Sequence, residues 1–363
     1  MKKNLRNILT LSLGLMTTVA FGQDWDVDSR TRIDMSGDNN MMQTDQRATI
    51  GATWGGSDWG IHVSTDVNYT LGTANTAEVP VNVYEAYAST NVMGYANVTV
   101  GRQALNYGSG AILSSNDWAA NRTTWDGFTI DLGVEMADIT IGYASQNNGM
   151  ADLDETNSSN MFANVAKAEG DWSVNLLVTS ASAEAGGVEV GNRSAMGLDL
   201  TYALMGGDLG LAATYNTATA ETGGVAAEDM DMMGLSATYN INDDFSATLG
   251  QTTYGEGGFS QAGTNMSGGY AGSGQLGYLN ADDQNMHVGI NYGMGDFSMG
   301  LTMNMITNNG DGAAAEDYER NVNEFSLGYA MSDNANLSLS YASDAVNDLD
   351  AVKWMWLTLN VTP

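Results

Sequence analysis

The sequence contains no cysteine, two prolines and two histidines in 363 residues. Lack of cysteine argues against a disulfide-stapled exported module and suits a fold whose hydrogen-bond ladder closes on itself. Basic residues are also scarce, 12 Lys and Arg against 43 Asp and Glu, a formal net charge of −31. A chain this acidic repels phosphate, which excludes general nucleic-acid binding. Long apolar runs are missing as well. After Gly22, polar residues interrupt every apolar stretch before it reaches the roughly 18 residues that a spanning helix needs. Such a chain can cross a membrane only as a closed barrel, in which strand pairing satisfies every backbone N–H and C=O. Glycine is plentiful, with 44 residues, and no shift in composition marks a domain boundary.

The N-terminus has its own pattern. Lys2, Lys3 and Arg6 precede an apolar stretch from Ile8 to Val19, and Ala20-Phe21-Gly22 follows. A basic start, a short apolar segment and small residues two apart read as a signal peptide over 1–22, leaving 23–363 as one outer-membrane β-barrel domain. Removing the leader takes three positive charges and no acid, so the mature chain is three units more negative still. The surplus acid reads either as solvated surface loops or as oxygen ligands for divalent cations in those loops.

From Ser29 onward the dominant signal is period-two alternation. Trp59-Ile61-Val63 and Val67-Tyr69-Leu71 alternate with Gly60, His62, Ser64, Asp66 and Asn68. Phe297, Met299, Leu301, Met303 and Met305 alternate with Ser298, Gly300, Thr302 and Asn304 in the same way. Alternation alone also fits a soluble sandwich, but the connections separate the two. Short turns such as 55–58, 168–171, 205–208, 241–244, 293–296 and 332–334 alternate with longer polar segments near 37–45, 72–80, 105–122, 147–158, 181–191, 217–229, 255–284, 308–319 and 344–352. Short periplasmic turns and long extracellular loops mark an all-β, transmembrane, antiparallel up-and-down barrel. The segments between them predict about 18 strands, the first over 29–36 and the closing one over 353–361.

Tyr202, Tyr239, Tyr292 and Tyr329 end descending strands, and Phe245 and Phe297 open the ascending strands that follow, so the six predict a periplasmic aromatic girdle. Many of the 22 methionines share the apolar parity and are expected to face lipid. Met230, Met232 and Met233, beside Asp229 and Asp231, look loop-like and too loose for a site.

A charge facing lipid at mid-membrane costs a few kcal/mol, so charged residues within strands should point inward. By parity, Arg30, Arg32, Arg47, Arg193 and Arg320 point to the lumen or its rim, as do Asp34, Asp66, Asp131, Asp199 and Glu324. The wall is therefore mixed. Opposed basic and acidic rows would orient solutes, because charges at a constriction set ion preference; the same pairs would otherwise simply brace the wall. His62 and His287 are also on inward parity, and no serine motif around them suggests a hydrolytic triad. No segment calls for a cofactor.

One stretch departs from the low-complexity remainder: Gly101-Arg102-Gln103-Ala104-Leu105-Asn106-Tyr107-Gly108, then Ile112-Leu113, Asp117-Trp118, Arg122 and Asp126-Gly127. It resembles the Gly-Arg-Gln…Tyr-Gly…Trp…Asp-Gly segment of the alginate-export-like family of outer-membrane porins. The resemblance covers about 27 residues. It implies an 18-stranded monomeric barrel whose loops fold partly into the lumen, with Arg102, Gln103, Asp117, Arg122 and Asp126 in pore-lining or loop-anchoring roles. Ala111 stands where that family often has a basic residue, a departure that argues against a strongly cationic conduit. Val98 and Val100 share parity with Arg102, so a lumenal Arg102 requires a β-bulge at Gly101.

The reading that follows is a channel for passive or weakly selective diffusion of ions and small polar solutes, oligosaccharides among them, embedded in outer-membrane lipids. A plugged structural or adhesive barrel with acidic extracellular loops is the alternative, and steady conductance separates the two.

Overall fold

The computed structural model describes residues 23–37, 42–72, 79–147, 156–186, 188–308 and 318–362; the leader expected over 1–22 lies outside them. Eighteen long strands follow one another: β1 (Gln23–Asp34), β2 (Gln43–Gly55), β3 (Trp59–Thr70), β4 (Val81–Val92), β5 (Ala96–Gln103), β6 (Trp125–Val134), β7 (Ala137–Asn147), β8 (Thr156–Glu169) and β9 (Trp172–Ala185) form the first half. The second half is β10 (Val188–Leu204), β11 (Leu209–Thr222), β12 (Met230–Asn242), β13 (Phe245–Tyr254), β14 (Asp283–Met294), β15 (Phe297–Asn308), β16 (Tyr318–Ser332), β17 (Ala335–Val346) and β18 (Val352–Val361). Each pairs antiparallel with its neighbour, and β18 returns to β1, from Ser29 opposite Val361 to Asp34 opposite Trp356. The sheet closes, so it has no long unpaired edge.

Three expectations about local structure need correction. First, β1 begins at Gln23 rather than Ser29, because Asp24, Asp26 and Asp28 continue the alternation around Trp25 and Val27 and pair with β2 from Thr53 to Thr49. Second, no loop spans 181–191. β9 and β10 extend as a polar hairpin, with only 186–187 between their ends. Third, Met230, Met232 and Met233 lie on β12, opposite Ala218, Asn216 and Tyr215, and Met232 is buried inside the barrel. The acidic residues around them made an ordinary strand start look like a loop.

The outer surface is apolar. Ile61, Val83, Val100, Ile141, Met161, Leu200, Leu235, Leu249, Met286, Leu301 and Met303 are all exposed there. A soluble monomer does not present a continuous apolar exterior of this kind; lipid is the solvent it fits. The aromatic girdle forms as expected beside the short turns: Phe297 stacks on Tyr329 with ring centroids 4.6 Å apart, Phe245 is opposite Tyr292, and Tyr202 and Tyr239 are exposed on the outer face. The architecture is that of an outer-membrane barrel.

The packed core, by contrast, is inside the lumen. Ala111 and Ile112 from one loop and Phe259, Tyr270 and Leu279 from another are buried against inward residues of the wall, among them Phe162, Leu177, Ile306, Val322 and Trp356. The lumen of an 18-stranded barrel is too wide for wall side chains alone to fill, and here two extracellular loops enter it.

Candidate functional site

The inner face of β1 presents Arg30 and Arg32, and the adjoining face of β2 presents Arg47, which is directly opposite Arg30. Two guanidiniums on adjacent strands would repel, and what gathers them is the backbone of the loop 104–124 between β5 and β6. Arg30 donates to the carbonyls of Asp117 at 2.5 Å and Trp118 at 3.0 Å. Arg32 donates to Trp118 O at 3.2 Å and lies 3.3 Å from the centre of the Trp118 ring. Arg47 donates to Asp117 O at 2.9 Å and Ala119 O at 3.4 Å. Among the described residues none of these three has a carboxylate within ion-pair distance, so their charge is uncancelled by direct contact.

The loop's own cation is paired. Arg122 makes a two-pronged contact with Asp66 of β3, at 2.5 and 3.1 Å, and also donates to Thr49 at 3.1 Å, with both partners of the ion pair buried. Burial works against its charge, but the Asp66 carboxylate outweighs that and raises the Arg122 pKa above the ordinary guanidinium value. Beneath it is Tyr84. The β3–β4 register skips one residue, pairing Ser64 with Glu85 and then Thr65 with Val83, and the extra residue, Tyr84, turns inward so that the Arg122 guanidinium is 3.2 Å from its ring centre. A bulge re-aims a side chain in this way. It occurs at Tyr84, not at the expected Gly101.

A second loop, 255–282 between β13 and β14, locks onto the first. Asn116 N donates to Asn265 Oδ1 at 2.9 Å, Asn265 N donates to Ser114 Oγ at 2.8 Å, and Tyr278 OH donates to Ala111 O at 2.5 Å. Burial pushes the Tyr278 hydroxyl up to about 12, so it stays a neutral donor at physiological pH. The far side of this loop is tied to the wall: Tyr270 OH donates to Glu324 at 2.9 Å and Arg193 donates to Ser260 O. Trp118 meets Trp356 edge-on at 5.0 Å, and Tyr270 stacks on Trp356 at 6.4 Å.

Across the barrel from Arg30, on β10, Asp199 receives the tip of the first loop by accepting from Ser109 N at 2.9 Å. Gly108 approaches so closely that a Cβ there would fall 2.0 Å from an Asp199 oxygen, and its φ of +56° also favours glycine. Beneath the tip is a cavity of about 450 Å³ whose lumenal lining includes Ser173, Asn175, Asp199, Thr214, Thr252 and His287. At the periplasmic mouth a larger one, about 750 Å³, is bordered by Asp208, Asp243, Asp244 and Asn291.

The remaining expected residues separate into two groups. Gln103 is buried inside, accepting from Thr129 at 3.2 Å; Asp131 accepts from Thr140 at 2.7 Å; Arg320 pairs with Asp344 at 2.7 and 2.8 Å; and Glu324 also accepts from Asn304 at 3.1 Å. Asp117 contributes its carbonyl, while its exposed carboxylate is 3.7 Å from Arg122. Arg102 and Asp126 differ. The β4–β5 and β5–β6 registers run unbroken through Gly101, so Arg102 keeps the outward parity of Val98 and Val100, and Asp126 pairs with it on the outer rim. Gly101 has a φ of +133° and a Cβ there would strike Ala86 O at 2.2 Å, yet this twist does not shift the register. Arg102 grips Asp126 at 2.6 and 2.7 Å and reaches Val83 O, beside the bulge, at 3.2 Å. Neither residue is lumenal. Arg102→Ala is accordingly expected to leave single-channel conductance and reversal potential at wild-type values and to cost at most about 1 kcal/mol, as exposed ion pairs do. A shift in reversal potential would show that the side chain reaches the lumen.

His62 is held by wall contacts, with Nδ1 2.8 Å from Thr53 Oγ1, its ring stacked 5.1 Å from Tyr87 and Nε2 3.6 Å from Glu85. Among the described residues no three His, Cys, Asp or Glu side chains converge as a metal site requires. The sequence reading overlooked Tyr84, Asn116 and Tyr270, which join loop to loop or loop to wall and carry no periodic signal, and it quoted Trp118 in the motif without giving it a role. It also overlooked Asp24, Asp26 and Asp28, whose alternation with Trp25 and Val27 was legible.

A closed 18-stranded barrel with two loops folded into its lumen can be compared with solved structures. Its fold is that of the outer-membrane protein OpdK of Pseudomonas aeruginosa. The two superpose with a TM-score of 0.70 at 15% identity, over 95% of this chain and 100% of OpdK. A structure of OpdK with vanillate gives 0.69 at 14% identity, and OprD of the same organism gives 0.67 at 12%, over 96% of this chain and 97% of that one. At such identities the likeness concerns the fold. No family model matches the chain, and no curated protein sequence matches it.

Proposed function

We propose that this chain is an outer-membrane channel for passive, weakly selective diffusion of small polar solutes and ions, with a constriction built by loops 104–124 and 255–282. The observation that carries this reading is the pair of loops folded inside the lumen and tied to its wall and to each other, with a cavity beneath the loop tip and a polar cavity at the periplasmic mouth. A barrel kept only for structure or adhesion has no need of a polar wall below its plug. Arg30 and Arg32 beside the loop, without carboxylate partners, favour small anionic solutes at the constriction, since arginines lining a pore select for anions. Vanillate, present in the OpdK structure, belongs to that chemical class.

The motif resemblance to alginate-export-like porins points to the same architecture but not to its substrate. Ala111 is buried against the wall and places no cation in the passage, so small anions fit better than an anionic polysaccharide. The acidic loops remain available to divalent cations as a surface property.

Conductance tests the reading. The refolded chain in a planar bilayer should give a steady open current under a salt gradient. Arg32→Gln should then move the reversal potential toward cations and lower conductance of a small carboxylate relative to chloride. A β-rich, membrane-inserted barrel without current would leave the plugged reading as the better account.

A further inference from the structure

The inward face of β1 reads Asp24, Asp26, Asp28, Arg30, Arg32, Asp34 at every second residue, rising from the periplasmic end to the loop. At about 3.4 Å per residue, successive same-face side chains are roughly 7 Å apart. None of the three lower aspartates is within ion-pair distance of a cation among the described residues. At the same end, Asp208, Asp243 and Asp244 border the periplasmic mouth. Every lumen-facing cation among the described residues, Arg30, Arg32, Arg47, Arg122, Arg193 and Arg320, is in the extracellular half of its strand or on the loop above. Lys167, near the periplasmic end, follows the outward parity of Met161 and Val165. Elsewhere in the extracellular half Arg122 and Arg320 are matched by Asp66 and Asp344, but along the β1–β2 wall Arg30, Arg32 and Arg47 are unpaired among the described residues, so this side of the lumen places a basic zone, capped by Asp34, and an acidic zone in series.

We propose that Asp24, Asp26 and Asp28 form an anion-excluding vestibule that, with the arginines above it, makes the channel rectify; this rests on the channel reading given above. Carboxylates lining a passage admit cations and arginines admit anions. Their spacing of roughly 7 Å is within the screening length, about 8 Å at physiological ionic strength, so the three act as one continuous field. When the periplasmic side is positive, cations enter through the acidic zone and anions through the basic zone, and both accumulate at the junction between Asp28 and Arg30. Conductance is then high. Under the opposite polarity both carriers are drawn away from the junction, and conductance falls. The vestibule is therefore a specificity determinant separate from the loop constriction: it decides which ions reach the arginines from the periplasm.

Single-channel current–voltage curves at low salt test this on the full-length mature chain. Since the chain has no cysteine, Ser57→Cys in the exposed periplasmic turn, probed with a membrane-impermeant thiol reagent from one chamber, reports the direction of insertion. Wild type is expected to conduct better with the periplasmic chamber positive, and the asymmetry should collapse near 1 M salt, where the screening length is about 3 Å. In D24N/D26N/D28N the asymmetry should be mostly lost and the reversal potential should move toward anions. D243N/D244N, confined to an exposed turn, should give a smaller change in the same direction and serves if the triple variant does not assemble. An open wild-type channel with symmetric or oppositely rectifying current overturns the inference alone, as does a triple variant with unchanged asymmetry. A wild-type barrel that inserts but carries no current overturns the channel reading and this inference together.

Discussion

Asp66→Ala is expected to destabilise the protein by about 3 kcal/mol, the lower end of the cost of breaking a buried ion pair, because it leaves the buried Arg122 guanidinium with only the exposed Asp117 carboxylate, 3.7 Å away, as counter-charge. Asp66 supplies two of the three side-chain hydrogen bonds made by Arg122, and the third acceptor, Thr49 Oγ1, itself donates to Asp66 at 2.8 Å. The loss therefore reaches three side chains. Nor can the charge escape by small movements, since the buried Arg122 guanidinium is held 3.2 Å from the centre of the Tyr84 ring. The remaining outlet is release of loop 104–124 from the wall, so single-channel conductance should rise and become noisier as stability falls. Urea unfolding followed by heat-modifiable migration, together with bilayer recording, measures both. Wild-type conductance with unchanged stability would mean that the pair does not hold the constriction. Asp66→Asn should be intermediate, since the amide oxygen still accepts one bond.

Leu301→Arg and Thr302→Arg, adjacent in sequence, should differ by about 2–4 kcal/mol, the cost of a cation on the lipid face near the bilayer midplane. Leu301 is exposed on the outer face between Ile290 and Phe325 on the neighbouring strands. Thr302 is one residue further on β15 and points inward, directly opposite Glu324. An arginine at 302 meets water and a carboxylate; at 301 it meets hydrocarbon. Leu301→Arg should fold poorly into detergent or vesicles, while Thr302→Arg should assemble and shift selectivity toward anions. Equal behaviour of the two would contradict the alternation on which the inside and outside assignments rest.

That alternation is a local property, and it was legible. A two-residue period needs only neighbours in sequence, so the strands, the short turns, the girdle at Tyr202, Tyr239, Tyr329 and Phe297, and the inward parity of Arg30, Arg32, Arg47, Arg193 and Arg320 could be read from the chain. The failures are equally local. The strand predicted from Ser29 begins at Gln23, since Asp24, Asp26 and Asp28 continue the alternation and aspartates that face the lumen cost little. A lumenal Arg102, as the family resemblance implies, requires a bulge at Gly101, and the unbroken registers there leave the side chain outside. At the rim, near the aqueous interface, an outward arginine paired with Asp126 carries no such penalty, and the bulge falls instead where Tyr84 must reach Arg122.

The sequence by itself determined the class: sustained alternation, with short turns alternating with long polar loops, marks an up-and-down membrane barrel, whose closure satisfies every backbone group in lipid. Only the tertiary structure decided what fills it. Arg30 meets the carbonyl of Asp117 across 87 residues, Arg122 meets Asp66 across 56, and Tyr278 meets Ala111 across 167. Such contacts leave no periodic trace, since they join irregular loops to a wall whose curvature and closure bring them within reach. The same closure turned a run of alternating charges on β1 into an axial column of acid below base, a property that belongs to the lumen and not to the strand alone.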